Sequence, residues 1–89
     1  MIHQPYIAIR EQIWNNSITT FPEIILRISL NQLCRDADIA PEQMREWLHN
    51  ISNITLQEVK QLAEMLGIPE YRMMRVVIAT EKMQQALRN

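Results

Sequence analysis

Three short polar patterns divide this chain into helical segments. The tetrapeptides TFPE, SLNQ and TLQE begin at Thr20, Ser29 and Thr55. In each, a Ser or Thr precedes a Glu or Gln by three residues, which is the spacing of a capping box. The hydroxyl accepts a hydrogen bond from the first turn of the helix, and the Glu or Gln side chain accepts one from the cap residue's own amide. Each pattern therefore predicts the start of a helix.

Apolar residues recur with a helical period in three central segments. The first segment follows Ser29, and the second follows Pro41, which suits a first helical turn because its missing amide would have no partner there. The third follows Thr55 and ends at Gly67, which closes helices in the left-handed conformation, while Pro69 prevents continuation. The three stripes are Leu30, Leu33, Cys34 and Ala37; Met44, Trp47, Leu48 and Ile51; and Val59, Leu62, Ala63 and Leu66.

Helices are also predicted at both ends of the chain. Segments 5–14 and 20–28 have helical patterns, and a longer helix is predicted over 70–88 with two apolar stripes. One helix with two apolar faces needs two partners, so we predict that one stripe forms the seam of a homodimer. In the alternative, both stripes pack against segments 5–14 and 20–28 of the same chain. The predicted seam is Met73, Val76, Thr80, Met83 and Leu87, and the neighbouring stripe is Tyr71, Met74 and Ile78.

The size of the chain limits it to one core. With 89 residues and 47 % hydrophobic content, a single all-α domain is predicted, built as a small helical bundle. Its parts are an N-terminal flank at 1–28, a central unit at 29–68 and a C-terminal helix at 69–89. The apolar runs are too short to span a membrane, and the single cysteine and the lack of a signal-peptide pattern indicate the cytoplasm.

The titratable residues do not form a catalytic or metal-binding pattern. We find no paired carboxylates, nucleophile with a base, or glycine-rich phosphate loop in the sequence. His3 and His49 are far apart, without cysteines or carboxylates at metal-ligand spacing. Cys34 lies in an apolar stripe, which indicates a buried structural thiol. We therefore expect a protein that is not an enzyme and that uses no metal or cofactor.

The central unit has the pattern of a known DNA-binding family. Residues 28–68, ISLNQLCRDADIAPEQMREWLHNISNITLQEVKQLAEMLGI, resemble the lambda-repressor/Cro (XRE-like) helix-turn-helix family without a gap. The match includes Ser29 at the start of a helix, Ala37 as the small residue between the two helices, and Ile39 as the apolar residue of the turn. Met44 and Trp47 match the buried positions of the recognition helix. The resemblance implies a transcription regulator, repressor-like, that binds double-stranded DNA as a homodimer.

The resemblance also implies which side chains face DNA. The buried stripe of the second helix turns its other side outward, where Arg can pair with guanine, Gln with adenine, and Glu with the cytosine amino group. Residues of neighbouring segments would contact the sugar–phosphate backbone. The predicted contacts are Glu42, Gln43, Arg45, Glu46 and His49 in the groove, and Arg35, Asn53 and Lys60 on the backbone.

The acidic outward side of the second helix and one departure from the family pattern favour an alternative function. Glu42 and Glu46 would face the phosphates of DNA, and Leu30 stands where a polar residue usually contacts phosphate. Asp38, at the turn position that is usually glycine, is a second departure and can adopt the left-handed conformation. The formal net charge is −1, whereas a protein that binds nucleic acid usually has a basic surface. The alternative is a protein-interaction adaptor derived from a helix-turn-helix, such as an anti-repressor or an antitoxin, with weak or no DNA binding. Salt-dependent binding to duplex DNA discriminates between the two.

Overall fold

The computed structural model describes residues 4–88. In it, each of the three capping patterns lies at the start of a helix. Thr55 and Glu58 form both bonds of the box: the Glu58 amide donates to Thr55 Oγ1 at 3.1 Å, and the Thr55 amide donates to Glu58 Oε1 at 2.8 Å. Ser29 Oγ accepts from the Gln32 amide at 3.2 Å, and Thr20 is the N-cap of the helix that follows it. The three predicted helix starts are therefore confirmed.

Residues 4–88 form six α-helices and one short 3-10 helix, with no β-strand among them, which confirms the predicted all-α fold. None of these helices is long and apolar enough to cross a bilayer. His3 lies outside the described residues. The helices are α1 (Gln4–Trp14), α2 (Phe21–Ile25), α3 (Leu30–Ala37), α4 (Pro41–Trp47), the 3-10 helix (Ile51–Asn53), α5 (Leu56–Leu66) and α6 (Glu70–Arg88).

One hydrophobic core receives side chains from all six helices. Trp47 of α4 is fully buried in it and meets Phe21 of α2 edge-on, with ring centroids 5.9 Å apart and an interplanar angle of 78°. Cys34 of α3 is also buried, and its Sγ lies 3.5 Å from Sδ of Met44. The predicted core positions of Trp47 and Cys34 are therefore confirmed. The core packs against one side of α4 and leaves the opposite side exposed to solvent.

Helix α1 covers the core with one of its faces. Tyr6, Ile9 and Ile13 are all buried. The Tyr6 hydroxyl donates a hydrogen bond to Oδ2 of Asp36 and so joins α1 to α3, which precedes the candidate recognition helix. Burial of the ring, followed by the hydrogen bond to Asp36, raises the pKa of Tyr6 well above its ordinary value. The phenol is therefore held in its neutral, donating form.

The raised pKa of Tyr6 predicts a loss of stability at high pH. Because the folded state has the higher pKa, the stabilisation is fully present below the ordinary tyrosine pKa of 10.0 and is lost as the pH rises through the raised pKa. We expect the free energy of unfolding of the wild type to fall above about pH 10 more steeply than that of Tyr6→Phe. Urea denaturation between about pH 7 and pH 11 measures this, and identical slopes for the two proteins would contradict it.

The predicted dimer seam on α6 is wrong for three of its five residues, because Met73, Val76 and Thr80 are buried within the same chain. Thr80 serves α2: its Oγ1 accepts from the Phe21 amide at 2.8 Å and donates to the carbonyl of Val76 at 2.7 Å. Met83 is half-buried, whereas Leu87 is 80 % exposed. This stripe packs inside the chain, where α6 lies against α5, α2 and the 3-10 helix. The alternative in which both stripes pack against segments 5–14 and 20–28 therefore holds only in part, because Tyr71 and Ile78 of the neighbouring stripe are exposed.

Candidate nucleic-acid interface

Helices α3 and α4 are joined by a three-residue turn. Asp38 ends α3 in the left-handed conformation, with φ 58° and ψ 49°, which aspartate tolerates better than most residues other than glycine and asparagine. The next amide, of Ile39, donates to the carbonyl of Cys34 at 3.0 Å, and the Ile39 side chain is buried beneath the turn. Pro41 then begins α4. Two short helices joined by a three-residue turn are the order of elements that a helix-turn-helix uses.

The outward side of α4 is polar. Met44 and Trp47 are buried, and this fixes the rotation of the helix about its own axis. Glu42, Arg45 and Glu46 are exposed on the other side, and Gln43 is half-buried at its edge. The structure therefore brings together four of the five residues predicted to face the groove, on a helix whose back is held by the core.

The fifth residue, His49, lies beyond the helix. The helix was predicted to include His49, but α4 ends at Trp47, and Ile51 of its apolar stripe belongs to the 3-10 helix. The last turn tightens: the amide of Leu48 donates to the carbonyl of Arg45 at 3.1 Å, and that of His49 donates to the carbonyl of Glu46 at 3.0 Å. The side chain of His49 is exposed, but its direction is set by this turn and not by the helical period.

A buried glutamine on α6 forms hydrogen bonds with backbone groups at the C-terminal end of α4 and just after it. Gln84 Nε2 donates to the carbonyl of Trp47 at 2.8 Å, and Gln84 Oε1 accepts from the Ile51 amide at 2.8 Å. One turn further along α6, Arg88 Nη2 donates to the carbonyl of His49 at 2.9 Å. Helix ends leave carbonyls and amides that need partners, and here a distant helix provides them. Helix α6 thus fixes where α4 stops and how its end is oriented.

A wide, open groove of about 620 Å³ lies where α3 meets α4. Arg35, one of the predicted backbone contacts, lines it together with Asn31, one helical turn earlier, and Asp38. The sequence patterns did not single out Asn31, although its spacing from Arg35 places both on one face of α3. The lining has one basic and one acidic side chain, so the groove itself is electrically balanced.

Two charged side chains of α4 affect the pKa of a residue that lines this groove. Cys34 lies there, and burial raises the pKa of its thiol, while the neighbouring Arg45 lowers that pKa and Glu42 raises it. Both side chains therefore act on the region between the two helices. The thiol remains protonated at neutral pH, which agrees with a structural role.

The two remaining predicted backbone contacts have different surroundings. Asn53 is exposed in the 3-10 helix and its Nδ2 donates to Oε1 of Glu46 at 3.0 Å, which ties the segment after α4 to its outward face. Lys60 is exposed on α5. Leu30, at the position where the family has a polar residue, packs against the core. A phosphate contact from its side chain is therefore excluded, because it has no polar atom.

Comparisons with protein-family models, with characterised proteins and with solved structures find no match for this chain. Within residues 4–88, no group of three or more histidine, cysteine or acidic side chains is arranged to hold a metal ion. A function must therefore be inferred from the geometry of α3, α4 and the segments that support them.

Proposed function

We propose that this protein is a DNA-binding transcription regulator of the lambda-repressor/Cro type that inserts α4 into the major groove. The observation that carries the proposal is the pair of short helices α3 and α4 around a three-residue turn. In this pair, α4 buries Met44 and Trp47 and exposes Glu42, Arg45 and Glu46. An α-helix fits into the major groove of B-form DNA. Supported at its end by Gln84, α4 would enter the groove as a rigid element.

The proposed contacts divide between bases and backbone. Arg45 can donate two hydrogen bonds to the O6 and N7 atoms of guanine, and Gln43 can pair with adenine. Arg35 and Asn31 line the protein's own groove at the turn between α3 and α4, and they would contact phosphates. Phosphate contacts set the register of the protein on DNA without reading its sequence. The acidic residues limit affinity, because Glu42 and Glu46 face the same phosphates. We therefore propose weak binding by each subunit and a homodimer that joins two half-sites about one helical turn apart.

The homodimer needs a surface other than the predicted seam. The outward side of α6 carries Tyr71, which is 59 % exposed, and Ile78, which is 48 % exposed. These two residues are separated by two helical turns and lie on the same side of α6. We propose that two copies, acting in the cytoplasm and without catalytic activity, meet along this side. Sedimentation equilibrium of the wild type and of a Tyr71→Ser/Ile78→Ser variant measures the association.

The test of DNA binding is a titration of the purified protein into labelled mixed-sequence duplex at about 50 mM and 200 mM salt. We expect affinity to fall steeply with salt, because binding releases counterions from the DNA. Because mixed-sequence duplex offers no defined guanine to read, Arg45→Ala removes one positive charge near the phosphates, and we expect weaker binding and a salt slope smaller by about one. Lys82→Ala on α6 is the matched control: it also removes one exposed positive charge, but far along the chain from α4.

Two outcomes contradict the proposal. One is the absence of duplex binding by the wild type at low salt. The other is an equal loss of affinity in Arg45→Ala and Lys82→Ala, because that would show a general charge effect in place of a contact from α4.

The second candidate function is a protein-interaction adaptor. It is favoured by the acidic side chains of Glu42 and Glu46 on the outward side of α4 and by Leu30, which packs against the core where a phosphate contact is expected. An adaptor would show no duplex binding at low salt and would form a stable complex with a protein that carries a basic surface. The duplex titration therefore separates the two candidates.

A further inference from the structure

A second pocket lies between the loop after α1 and one side of α6, and its lining shares no residue with α4 or the groove beside it. Its volume is about 180 Å³. Such a volume is smaller than the roughly 300–1,000 Å³ of most ligand sites, and it suits a molecule of a few heavy atoms. The lining residues are Ile13, Asn16, Ile18, Thr19, Arg72, Arg75, Val76 and Ala79.

Arg72 is held in this pocket by stacking. Its Cζ atom lies 4.2 Å from the centroid of the Trp14 ring, which places the guanidinium over the aromatic face. The Nε atom is buried and has no hydrogen-bond acceptor among the described protein atoms. Because Nε is out of reach of solvent, a ligand would meet other atoms of Arg72, whose side chain as a whole is half-buried and lines the pocket. The stacked guanidinium is thus fixed in orientation and still able to donate.

The charge of the pocket is positive. Arg72 and Arg75 are one helical turn apart on α6, and none of the eight described lining residues is acidic. Glu23 is adjacent through Thr19, but its Oε1 already accepts from the amide of Thr19 at 3.2 Å and from the hydroxyl of Thr20 at 2.8 Å. The hydroxyl of Thr19 also donates to Glu23. The donors that remain for a ligand therefore come mainly from the two arginines.

The other walls are apolar. Ile13, Ile18, Val76 and Ala79 line the pocket with hydrocarbon, and the first three of them are buried members of the core. A ligand that fits must combine a negative head for the guanidinium groups with a short apolar part for these walls. Carboxylates match the planar fork of an arginine, and the small volume excludes long chains.

We propose that this pocket binds a short-chain organic carboxylate, with its carboxylate on Arg72 and Arg75 and its hydrocarbon part against the apolar walls. The site connects the end of α1 to α6, whose far end holds α4 through Gln84. The proposal is independent of DNA binding, because it uses none of the residues of the α3–α4 surface.

The test uses butyrate as the probe and amide chemical shifts of the full chain as the readout. We expect saturable shifts confined to residues near 13–19 and 72–79, tighter binding of butyrate than of acetate, and no binding of 1-butanol. Arg75→Gln is expected to weaken butyrate binding at least about tenfold, as the loss of a charged hydrogen bond does. Arg75 is exposed, so its replacement should leave the fold intact. Lys82→Gln removes an exposed charge of α6 outside the pocket and should leave binding unchanged.

Three results would overturn the proposal. The first is the absence of saturable shifts with butyrate. The second is an equal loss in Arg75→Gln and Lys82→Gln, which would mean that any positive charge on α6 serves as well. The third is binding of inorganic phosphate as tightly as butyrate, because the apolar walls would then contribute nothing. None of these results bears on whether α4 binds DNA.

Discussion

Replacing Gln84 by leucine is expected to lower the free energy of unfolding by about 2–4 kcal/mol. Gln84 is only 6 % exposed, and its amide is bonded to the carbonyl of Trp47 and to the amide of Ile51. Leucine has a similar size but no polar atoms, so both backbone groups would be left buried without partners. For a domain of this length, with a total stability of roughly 5–13 kcal/mol, such a loss is large.

The measurement is urea denaturation followed by circular dichroism, together with hydrogen exchange of the Ile51 amide. Gln85→Leu is the matched control, because it makes the same substitution at the next position of α6, where the side chain is exposed. We expect that control to change stability by less than about 0.5 kcal/mol. A Gln84→Leu protein as stable as the wild type, with the Ile51 amide still protected, would show that α6 does not hold the end of α4.

The second large effect is expected from the two carboxylates on α4. Replacing Glu42 and Glu46 by glutamine keeps the shape of both side chains and removes two negative charges from the surface proposed to face phosphates. A charge pair separated by roughly 4–8 Å in water contributes about 0.5–1 kcal/mol, so the double variant should bind mixed-sequence duplex about five- to thirtyfold more tightly. The side-chain amide of Asn53 can still donate to the amide oxygen of the substituted side chain at position 46, so the local structure should persist.

The control for this variant changes the same total charge elsewhere. Glu11 on α1 and Glu70 at the start of α6 are both exposed, and Glu11→Gln/Glu70→Gln raises the net charge by the same two units. If affinity depends on the charge of the α4 surface, the control should bind little more tightly than the wild type in a fluorescence anisotropy titration. Equal gains in the two double variants would indicate that only the net charge of the protein matters, and would weaken the proposed orientation of α4.

The helix starts could be predicted because their causes are local. The bonds between Thr55 and Glu58 span three residues, and the left-handed conformations of Gly67 and Asp38 depend on the residues at those positions and their immediate neighbours. The turn between α3 and α4, with Ile39 buried beneath it, belongs to the same group. Sequence patterns that operate within one or two helical turns were therefore sufficient to place α3 and α4 and to find the outward side of α4.

The parts that were missed depend on residues far apart in the chain. The carbonyl of Trp47 at the end of α4 accepts from Gln84, 37 residues away, and a hydrophobic period cannot detect such a partner. Thr80 looked like part of an external seam because it continues an apolar stripe, yet its hydroxyl supports the start of α2, 59 residues away. A sequence pattern therefore assigns a buried polar residue of α6, such as Thr80, to the surface or to an interface, and only the packing of the helices corrects this.

The claim that the α3–α4 surface binds DNA is tested most directly by mapping backbone amide shifts as mixed-sequence duplex is added to the labelled protein at low salt. The account predicts that the largest changes occur in residues 29–35 and 41–53, and that they diminish as salt is raised. Shifts confined to α6, or no shifts at protein and duplex concentrations of about 0.1 mM, where a weak non-specific complex would already form, would contradict it.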